Sequence, residues 1–249
     1  MLKSNLDTSK VNVEKAKIQV DPTWKGIYKA GGVALFLTGL LYLTGSTFGY
    51  YLGTPPGNSE AYLQSLASKP MLAQVTYWTF ALADILLIPG TLGLYLALKR
   101  INKNAMLIAA ALAGFFIVLD LGITELNSLA LVALTQNYAS ATSDAQRAVY
   151  LAAEHWGLAT MPIATFFSWV GPSSGFLIAS IIMWNGPFGR NTARLGIITF
   201  CLGIVAGFYF LYPMPILTLL LTPVLIIYGI WLIASGRRLY GLGRQSGEA

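Results

Sequence analysis

Three acidic residues lie inside long apolar runs of this sequence, where charged side chains are rare. Asp84 lies within YWTFALADILLIPGTLG, and Asp120 and Glu125 lie within FFIVLDLGITELNS. An Asp at the centre of a bilayer costs about 2.5–3.5 kcal/mol on insertion scales, so such a residue is expected to have a function or a buried partner. The chemistry that these carboxyl groups offer is the binding of a proton or of a polar ligand.

The positions of the two aspartates predict that they meet. Each lies about 15 or 16 residues from the turn LKRINKN, Asp84 before it and Asp120 after it, and a helix rises about 1.5 Å per residue. The two side chains therefore reach nearly the same depth on neighbouring antiparallel helices. On an ideal α-helix Asp120, Thr124 and Asn127 share one stripe. Glu125 is then expected to be turned about 140° away from this stripe, toward a different neighbour and nearer the outer surface.

Asp84, Asp120, Thr124 and Asn127 thus form a polar layer, and two interpretations of it follow. The first is a pocket in the bundle interior that binds a proton or a ligand, because two nearby carboxyl groups resist double ionisation. The second is an interhelical hydrogen bond between a protonated acid and a hydroxyl or amide, which would only hold the helices together. Two acids of matched depth favour the pocket.

The sequence GPSSG at 171–175 holds two further polar candidates. It matches the G-x-S-x-G motif of serine hydrolases with Ser173 as the nucleophile, but that motif requires a strand-to-helix turn, which a membrane span lacks. The same residues form a G-x-x-x-G motif with a proline, which is typical of close helix packing and a kink. We therefore expect packing here, with Ser173 and Ser174 as candidate polar lining of the acid pocket.

Glu154 and His155 precede the fourth apolar run. A metal site would need further ligands, and a lone His at a helix start is usually an interfacial or hydrogen-bonding residue. Since His titrates near neutrality, proton uptake beside Glu125 on the outer side is the better hypothesis. With one His and one Cys in the chain, multi-His metal centres, bis-His haem and Cys-ligated clusters are excluded. No metal and no cofactor is predicted.

The composition is that of a membrane protein. Apolar residues make up 55% of the chain, charged residues 10%, and the mean hydropathy is +0.63. A soluble domain carries about 25% charged residues. The apolar runs approach or exceed the roughly 20 residues that cross a bilayer. The sequence therefore predicts an all-α polytopic membrane protein with six transmembrane helices in one bundle.

The basic residues predict how this bundle is oriented. The six spans are expected at 28–50, 72–98, 105–135, 156–184, 195–211 and 216–235. Of the 16 lysines and arginines, all but Lys69 and Arg147 fall on one side of these spans. The positive-inside rule then places both termini in the cytoplasm of a multi-pass plasma-membrane protein. Residues 1–27 are predicted to be a polar cytoplasmic tail, 28–236 the six-helix domain, and 237–249 a basic cytoplasmic tail.

Membrane lipids are the first predicted partners. The basic side attracts anionic lipid, whereas nucleic-acid binding is not predicted because no basic face with interleaved aromatics exists. Small-residue ladders predict helix–helix contacts, inside the chain, in a homo-oligomer or in a larger membrane complex. These ladders consist of Gly45, Gly49 and Gly53 in the first span and of Gly203 and Gly207 in the fifth.

The order of these segments resembles a known family. The first span contains GGVALFLTGLLYLTG, and AYLQSLASKP follows in the loop. The second span ends LGLYLALKRINKN, the third begins AMLIAAALAG, and the last closes IIYGIWLIASGRRLY. In this ordering the chain resembles a prokaryotic family of six-span membrane proteins that is catalogued as a domain of unknown function. The resemblance implies one six-helix domain with an added polar N-terminal tail, and it brings no catalytic or binding residues.

Three functional hypotheses remain open. The first is a small transporter or a binder of a lipophilic ligand or of protons, with Asp84 and Asp120 as a protonatable pair. The second is an accessory or structural subunit of a larger membrane complex. The third is an intramembrane enzyme of the aspartyl protease type, but LADILL and LDLGIT lack a glycine-flanked Asp, so no catalytic residue is assigned.

Overall fold

The computed structural model describes residues 21–53 and 59–245 of the 249-residue chain. Within these residues the chain is helical and has no strand. The seven helices are α1 Lys25–Leu52, α2 Ser59–Ala67, α3 Pro70–Leu98, α4 Lys103–Ser140, α5 Asp144–Met183, α6 Arg190–Gly207 and α7 Pro215–Gln245. The predicted N-terminal tail lies largely outside the described residues, as do the last four residues of the predicted C-terminal tail.

All helices except α2 are long and apolar enough to cross a membrane, which confirms the predicted class of six spans. The helices extend further than the apolar runs. The predicted loop between the third and fourth spans is mostly helix, because α4 continues to Ser140 and α5 already begins at Asp144. Ser143 caps α5 by accepting a hydrogen bond of 3.3 Å from the backbone N–H of Gln146. Hydropathy detects only the part of a helix that is apolar, so polar end turns of this kind are missed.

The bundle has two distinct ends. Helix α1 packs along α3 and α7, and α5 packs between α4 and α6. At one end, an ion pair of 2.8 Å joins Asp21 to Arg100 in the α3–α4 turn. We call it the basic end, because all lysines and arginines of the described residues except Lys69 and Arg147 lie in the segments at this end. The opposite end is covered by α2, which packs on the second half of α4, and we call it the α2 end. Which of them faces the cytoplasm stays a prediction.

Glycines bring α1 and α7 into backbone contact. A methyl group at Gly32 would lie 2.5 Å from the backbone nitrogen of Tyr240. At Gly39 it would lie 2.6 Å from the carbonyl oxygen of Gly229. In membranes such close approach stabilises helix pairs through van der Waals contact, since burial of apolar surface adds little there.

The Gly32→Ala variant is therefore expected to have an unfolding free energy lower by about 1–3 kcal/mol. The added methyl group would clash with the backbone of α7, which cannot move away as a flexible side chain could. Titration of the purified protein with SDS in mixed micelles measures this loss. Gly26→Ala is the matched control on the same helix, since apart from the adjacent backbone of α1 no atom lies within 4 Å of its added methyl. Equal stability of the two variants would contradict the proposed interface.

The predicted small-residue ladders have different environments. A methyl group at Gly203 would lie 2.6 Å from Ser173 Oγ, and one at Gly207 would lie 2.8 Å from Val170, so this ladder packs α6 on α5 within the chain. Gly45 faces Phe80. At Gly49 and Gly53 the space is open, and contact of these two glycines with another subunit stays a prediction.

Candidate functional site

A π-helical turn interrupts α4 at its middle. It comprises Asp120–Glu125, between the α-helical segments Lys103–Leu119 and Leu126–Ser140. Gly122 is a poor α-helix former, and the β-branched pair that follows it also has a low helix propensity. In a π turn the backbone bonds run between residues five apart, and such turns occur frequently at functional sites. Residues 120 and 125 are therefore one turn apart on the same side of α4.

This turn overturns the prediction for Glu125. One carboxylate oxygen each of Asp84, Asp120 and Glu125 lies within 4.8 Å of the others. The expectation that Glu125 turns away from Asp120 toward a different neighbour is wrong, because it assumed 3.6 residues per turn throughout the helix. The prediction that Asp84 and Asp120 meet at the same depth is confirmed by the same distances. We refer to these three residues as the carboxylate cluster.

The carboxylate cluster is buried at Asp84 and Glu125 and half-buried at Asp120. Asp84 is 0% exposed and Glu125 is 7% exposed. The Tyr42 hydroxyl on α1 donates a hydrogen bond to Asp84 Oδ1. Asp84 Oδ2 and Glu125 Oε2 are buried and accept no hydrogen bond from a hydroxyl or N–H group, while the carboxyl groups of Asp84 and Asp120 interact with each other. Buried polar atoms of this kind are costly unless they have a task or a ligand.

Two hydroxyl groups adjoin Asp120. Thr124, one turn further along α4, and Ser168 on α5 both interact with its carboxyl group. Neither hydroxyl makes a hydrogen bond of good geometry, and both oxygens are buried. The two hydroxyl groups next to the carboxylate cluster therefore make no hydrogen bond to any other group of the described residues.

No basic residue neutralises the carboxylate cluster. The stretches 30–68, 70–98, 104–146, 148–189 and 195–236 contain no Lys or Arg, so the middle of every span lacks one. In a medium of low dielectric, three adjacent carboxyl groups cannot all carry a charge without a counter-ion. The carboxylate cluster must therefore hold a proton or another cation.

The donor set suits hard cations as well as protons. Mg²⁺ and Ca²⁺ prefer carboxylate and hydroxyl oxygens, and each takes six or more such ligands, water included. Among the described residues this is the one group of three or more acidic, His or Cys side chains that could surround an ion.

A cavity of about 80 Å³ opens beside Asp120. Its volume is large enough for several water molecules. Asp120 is the only charged side chain in its wall. The other lining residues are Tyr42, Phe116, Trp169, Phe176, Phe200 and Tyr228, with Ser168, Ser173, Thr199, Pro172, Val224 and Leu225. The cavity thus borders five of the six spans, α1 and α4 to α7, and Asp120 belongs to both the cavity and the carboxylate cluster.

The structure sorts the remaining polar candidates near the middle of the bundle. Ser173 lines the cavity. Ser174 does not, because its hydroxyl donates to the Val170 carbonyl at 2.7 Å within α5. Asn127 is half-buried and lies outside the cavity wall, since the π turn shifts the stripe on which it was predicted. Packing at GPSSG is confirmed at Gly175, where an added methyl would lie 2.7 Å from the Ala109 carbonyl of α4.

Glu154 and His155 point in different directions. His155 is exposed, whereas Glu154 is 0% exposed and neither of its carboxylate oxygens has a partner. The two side chains therefore do not form a joint site. Leu151 and Leu158 share the face of Glu154 on α5 and pack against the apolar cluster beneath α2. Glu154 thus points into the protein at the α2 end.

Two tyrosines lie between Glu154 and the carboxylate cluster. The hydroxyls of Tyr62 on α2 and Tyr77 on α3 are 3.3 Å apart. Tyr77 precedes Asp84 by seven residues and shares its face, about 10 Å nearer the α2 end. Tyr62 interacts electrostatically with Glu154, and Tyr77 with Glu125. We call Glu154, Tyr62 and Tyr77 the polar track; the two tyrosines are joined by a hydrogen bond, and the links to Glu154 and Glu125 are electrostatic.

The electrostatics of Tyr62 keep its hydroxyl protonated. Burial raises the pKa of Tyr62, the hydrogen bond with Tyr77 lowers it, and the charge of Glu154 raises it again, with a net increase. The role of the tyrosines was missed in the sequence, since Tyr near span ends also anchors helices at the interface. The burial of Glu154 could have been predicted from the sequence, because the spacing of Leu151, Glu154 and Leu158 places them on one face of a helix.

Residues 31–236 match a family described as Domain of unknown function (DUF4386). The chain belongs to this family. The resemblance seen in the order of the six spans is thereby confirmed, and the matched region includes the carboxylate cluster, the cavity and Glu154. No curated protein and no solved structure shows a significant match to the chain.

Proposed function

We propose that this DUF4386 protein is a small carrier that takes up and releases protons at the carboxylate cluster, coupled to a ligand in the adjacent cavity. The observation that supports this most is the convergence of Asp84, Asp120 and Glu125 without any basic neighbour. Such a group must exchange protons or cations to change its charge. A purely structural acid needs no cavity beside it.

Asp120 is the residue that couples the two sites. Its carboxyl group belongs to the carboxylate cluster and also lines the cavity. A ligand that changes the charge or hydrogen bonding of Asp120 changes how strongly Asp84 and Glu125 hold a proton. Linkage requires the reverse as well, so the proton occupancy of the carboxylate cluster changes the affinity for the ligand.

The polar track supplies a route for the proton. Glu154 at the α2 end, followed by Tyr62 and Tyr77, leads to Glu125. The positive-inside rule places this end outside the cell and both termini in the cytoplasm. Proton uptake is therefore proposed to occur at Glu154 from the outer side, with His155 exposed beside it.

The two alternatives have less support. A subunit whose acids merely hold helices together would bond each carboxyl oxygen to a hydroxyl or amide, yet Asp84 Oδ2 and Glu125 Oε2 have no such bond. An aspartyl enzyme needs a dyad that water can reach, and Asp84 is 0% exposed and held by Tyr42. The unpartnered oxygens favour a carrier.

Proton flux into proteoliposomes tests the proposal. With an imposed pH gradient and a dye trapped inside, the wild-type protein is expected to conduct protons, and Asp120→Asn to reduce the rate at least tenfold because the amide cannot exchange a proton. Asp144→Asn is the control, since this acid is fully exposed at the start of α5. Unchanged flux in a well-folded Asp120→Asn protein, or no flux in the wild type, would refute the proposal.

A further inference from the structure

The cavity walls are mostly aromatic, and the rings contact one another. The ring centroids of Phe176 and Phe200 are 5.5 Å apart, those of Phe200 and Tyr228 are 5.6 Å apart, and those of Tyr228 and Tyr42 are 5.2 Å apart. These distances are typical of packed aromatic pairs. The rings form one continuous surface, and Trp169 and Phe116 complete the lining.

The opposite part of the cavity is acidic. Asp120 lines it directly, and the carboxyl groups of Asp84 and Glu125 lie within 4.8 Å of Asp120. No basic side chain lines the cavity. An anionic ligand would be repelled here, and a neutral one could not replace the proton that Asp120 otherwise holds.

The Ser168 hydroxyl in the cavity wall is available to a ligand. Ser168 is 4% exposed, its oxygen has no hydrogen-bond partner, and it lines the cavity beside Asp120. A hydroxyl oxygen accepts a hydrogen bond from an N–H donor. Its position favours a ligand that carries such donors over a ligand that is charged but has no N–H.

These three observations specify one class of ligand. We propose that the cavity binds a small protonated amine, with its ammonium group between Asp120 and Ser168 and its apolar part against Phe176, Phe200 and Tyr228. Aromatic faces attract cations through their quadrupole, and cages of such faces recognise ammonium groups elsewhere. The inference rests on the proposed carrier function, for which it names the substrate class.

A proton and an ammonium group then compete for Asp120. The groups that face this carboxyl are Asp84 on α3, Glu125 on α4, Ser168 on α5 and, across the cavity, Tyr42 and Tyr228. Because none of them is cationic, the positive charge at Asp120 comes either from the proton or from the amine. Amine binding is accordingly expected to release a proton and to weaken as the pH falls.

Calorimetric titration of the detergent-purified full-length protein tests this proposal without any transport. The probes are tert-butylammonium chloride and tert-butanol, which have the same shape but differ in charge. The ammonium is expected to bind at least tenfold more tightly than the alcohol. Asp120→Asn is expected to remove this preference, and Phe200→Leu, which keeps an apolar side chain without the ring, to weaken ammonium binding about threefold to tenfold. Asp144→Asn should bind as the wild type does.

The outcomes separate the two proposals. Equal binding of both probes, no binding of the ammonium, or unchanged selectivity in a folded Asp120→Asn protein would overturn the amine site. Because Phe200→Leu keeps all three carboxyl groups, it tests the site even if Asp120→Asn does not fold. Unchanged ammonium affinity in the Phe200→Leu protein would also overturn the aromatic site. Amine binding without proton flux in liposomes would refute the carrier and leave the binding site standing, and flux without amine binding would do the reverse.

Discussion

Replacing Tyr42 by phenylalanine is expected to lower the unfolding free energy by about 1–3 kcal/mol, the cost of leaving a buried polar group without its partner. The Tyr42 hydroxyl donates to Asp84 Oδ1, and the second oxygen of Asp84 already lacks a partner. The variant would therefore remove the hydroxyl donor of a fully buried carboxyl group, whose remaining neighbours, Asp120 and Glu125, are also acids. SDS titration of the purified protein in mixed micelles measures the change.

Tyr228→Phe is the matched control for this experiment. Its ring packs 5.2 Å from that of Tyr42, but its buried hydroxyl has no partner. Removing that hydroxyl is expected to leave stability unchanged or to raise it, because an unsatisfied polar atom disappears. If both phenylalanine variants lost the same stability, the loss would come from ring packing, and the bond between Tyr42 and Asp84 would contribute nothing.

Replacing Glu154 by leucine is expected to have opposite effects on stability and function. Both carboxylate oxygens of this buried side chain lack partners, so the substitution should raise the unfolding free energy by about 1–3 kcal/mol. The same change interrupts the polar track before Tyr62, and proton flux into proteoliposomes should fall at least tenfold. Trade-offs of this kind are common where function requires a destabilising group.

Glu60→Leu provides the comparison at the same end of the bundle. Glu60 is exposed, and its carboxylate accepts hydrogen bonds from Tyr138 at 3.0 Å and Gln64 at 3.3 Å. No gain in stability and no loss of flux are expected from this variant. A Glu154→Leu protein that is more stable but conducts protons normally would show that Glu154 is buried without serving as the route.

The carboxylate cluster and the aromatic cavity are proposed to have different roles in this DUF4386 protein. In the proposed carrier, the cluster holds positive charge in a region of low dielectric, and the cavity selects which cation can replace the proton. Asp120 is common to both, so a substitution there is expected to affect proton flux and amine binding together. Phe200→Leu, by contrast, should weaken amine binding while the cluster itself stays intact.

The sequence by itself determined the class of the protein, its six spans and the meeting of Asp84 and Asp120. All three depend on distance along a helix, which follows from a constant rise per residue and from the length of apolar runs. The tertiary structure alone decided which way the side chains point. The π turn brings Glu125 back to Asp120, an effect that a 3.6-residue period cannot show.

The partners of these acids also had to come from the tertiary structure. Tyr42 lies 42 residues from Asp84 in the chain, and the cavity wall combines residues of five helices. Contacts between distant helices depend on the rotation of each helix about its axis. The sequence of a span that is apolar on all faces gives little information about that rotation. The sequence thus showed that acids are present at one depth, and only the packing showed that they face a common cavity with aromatic walls.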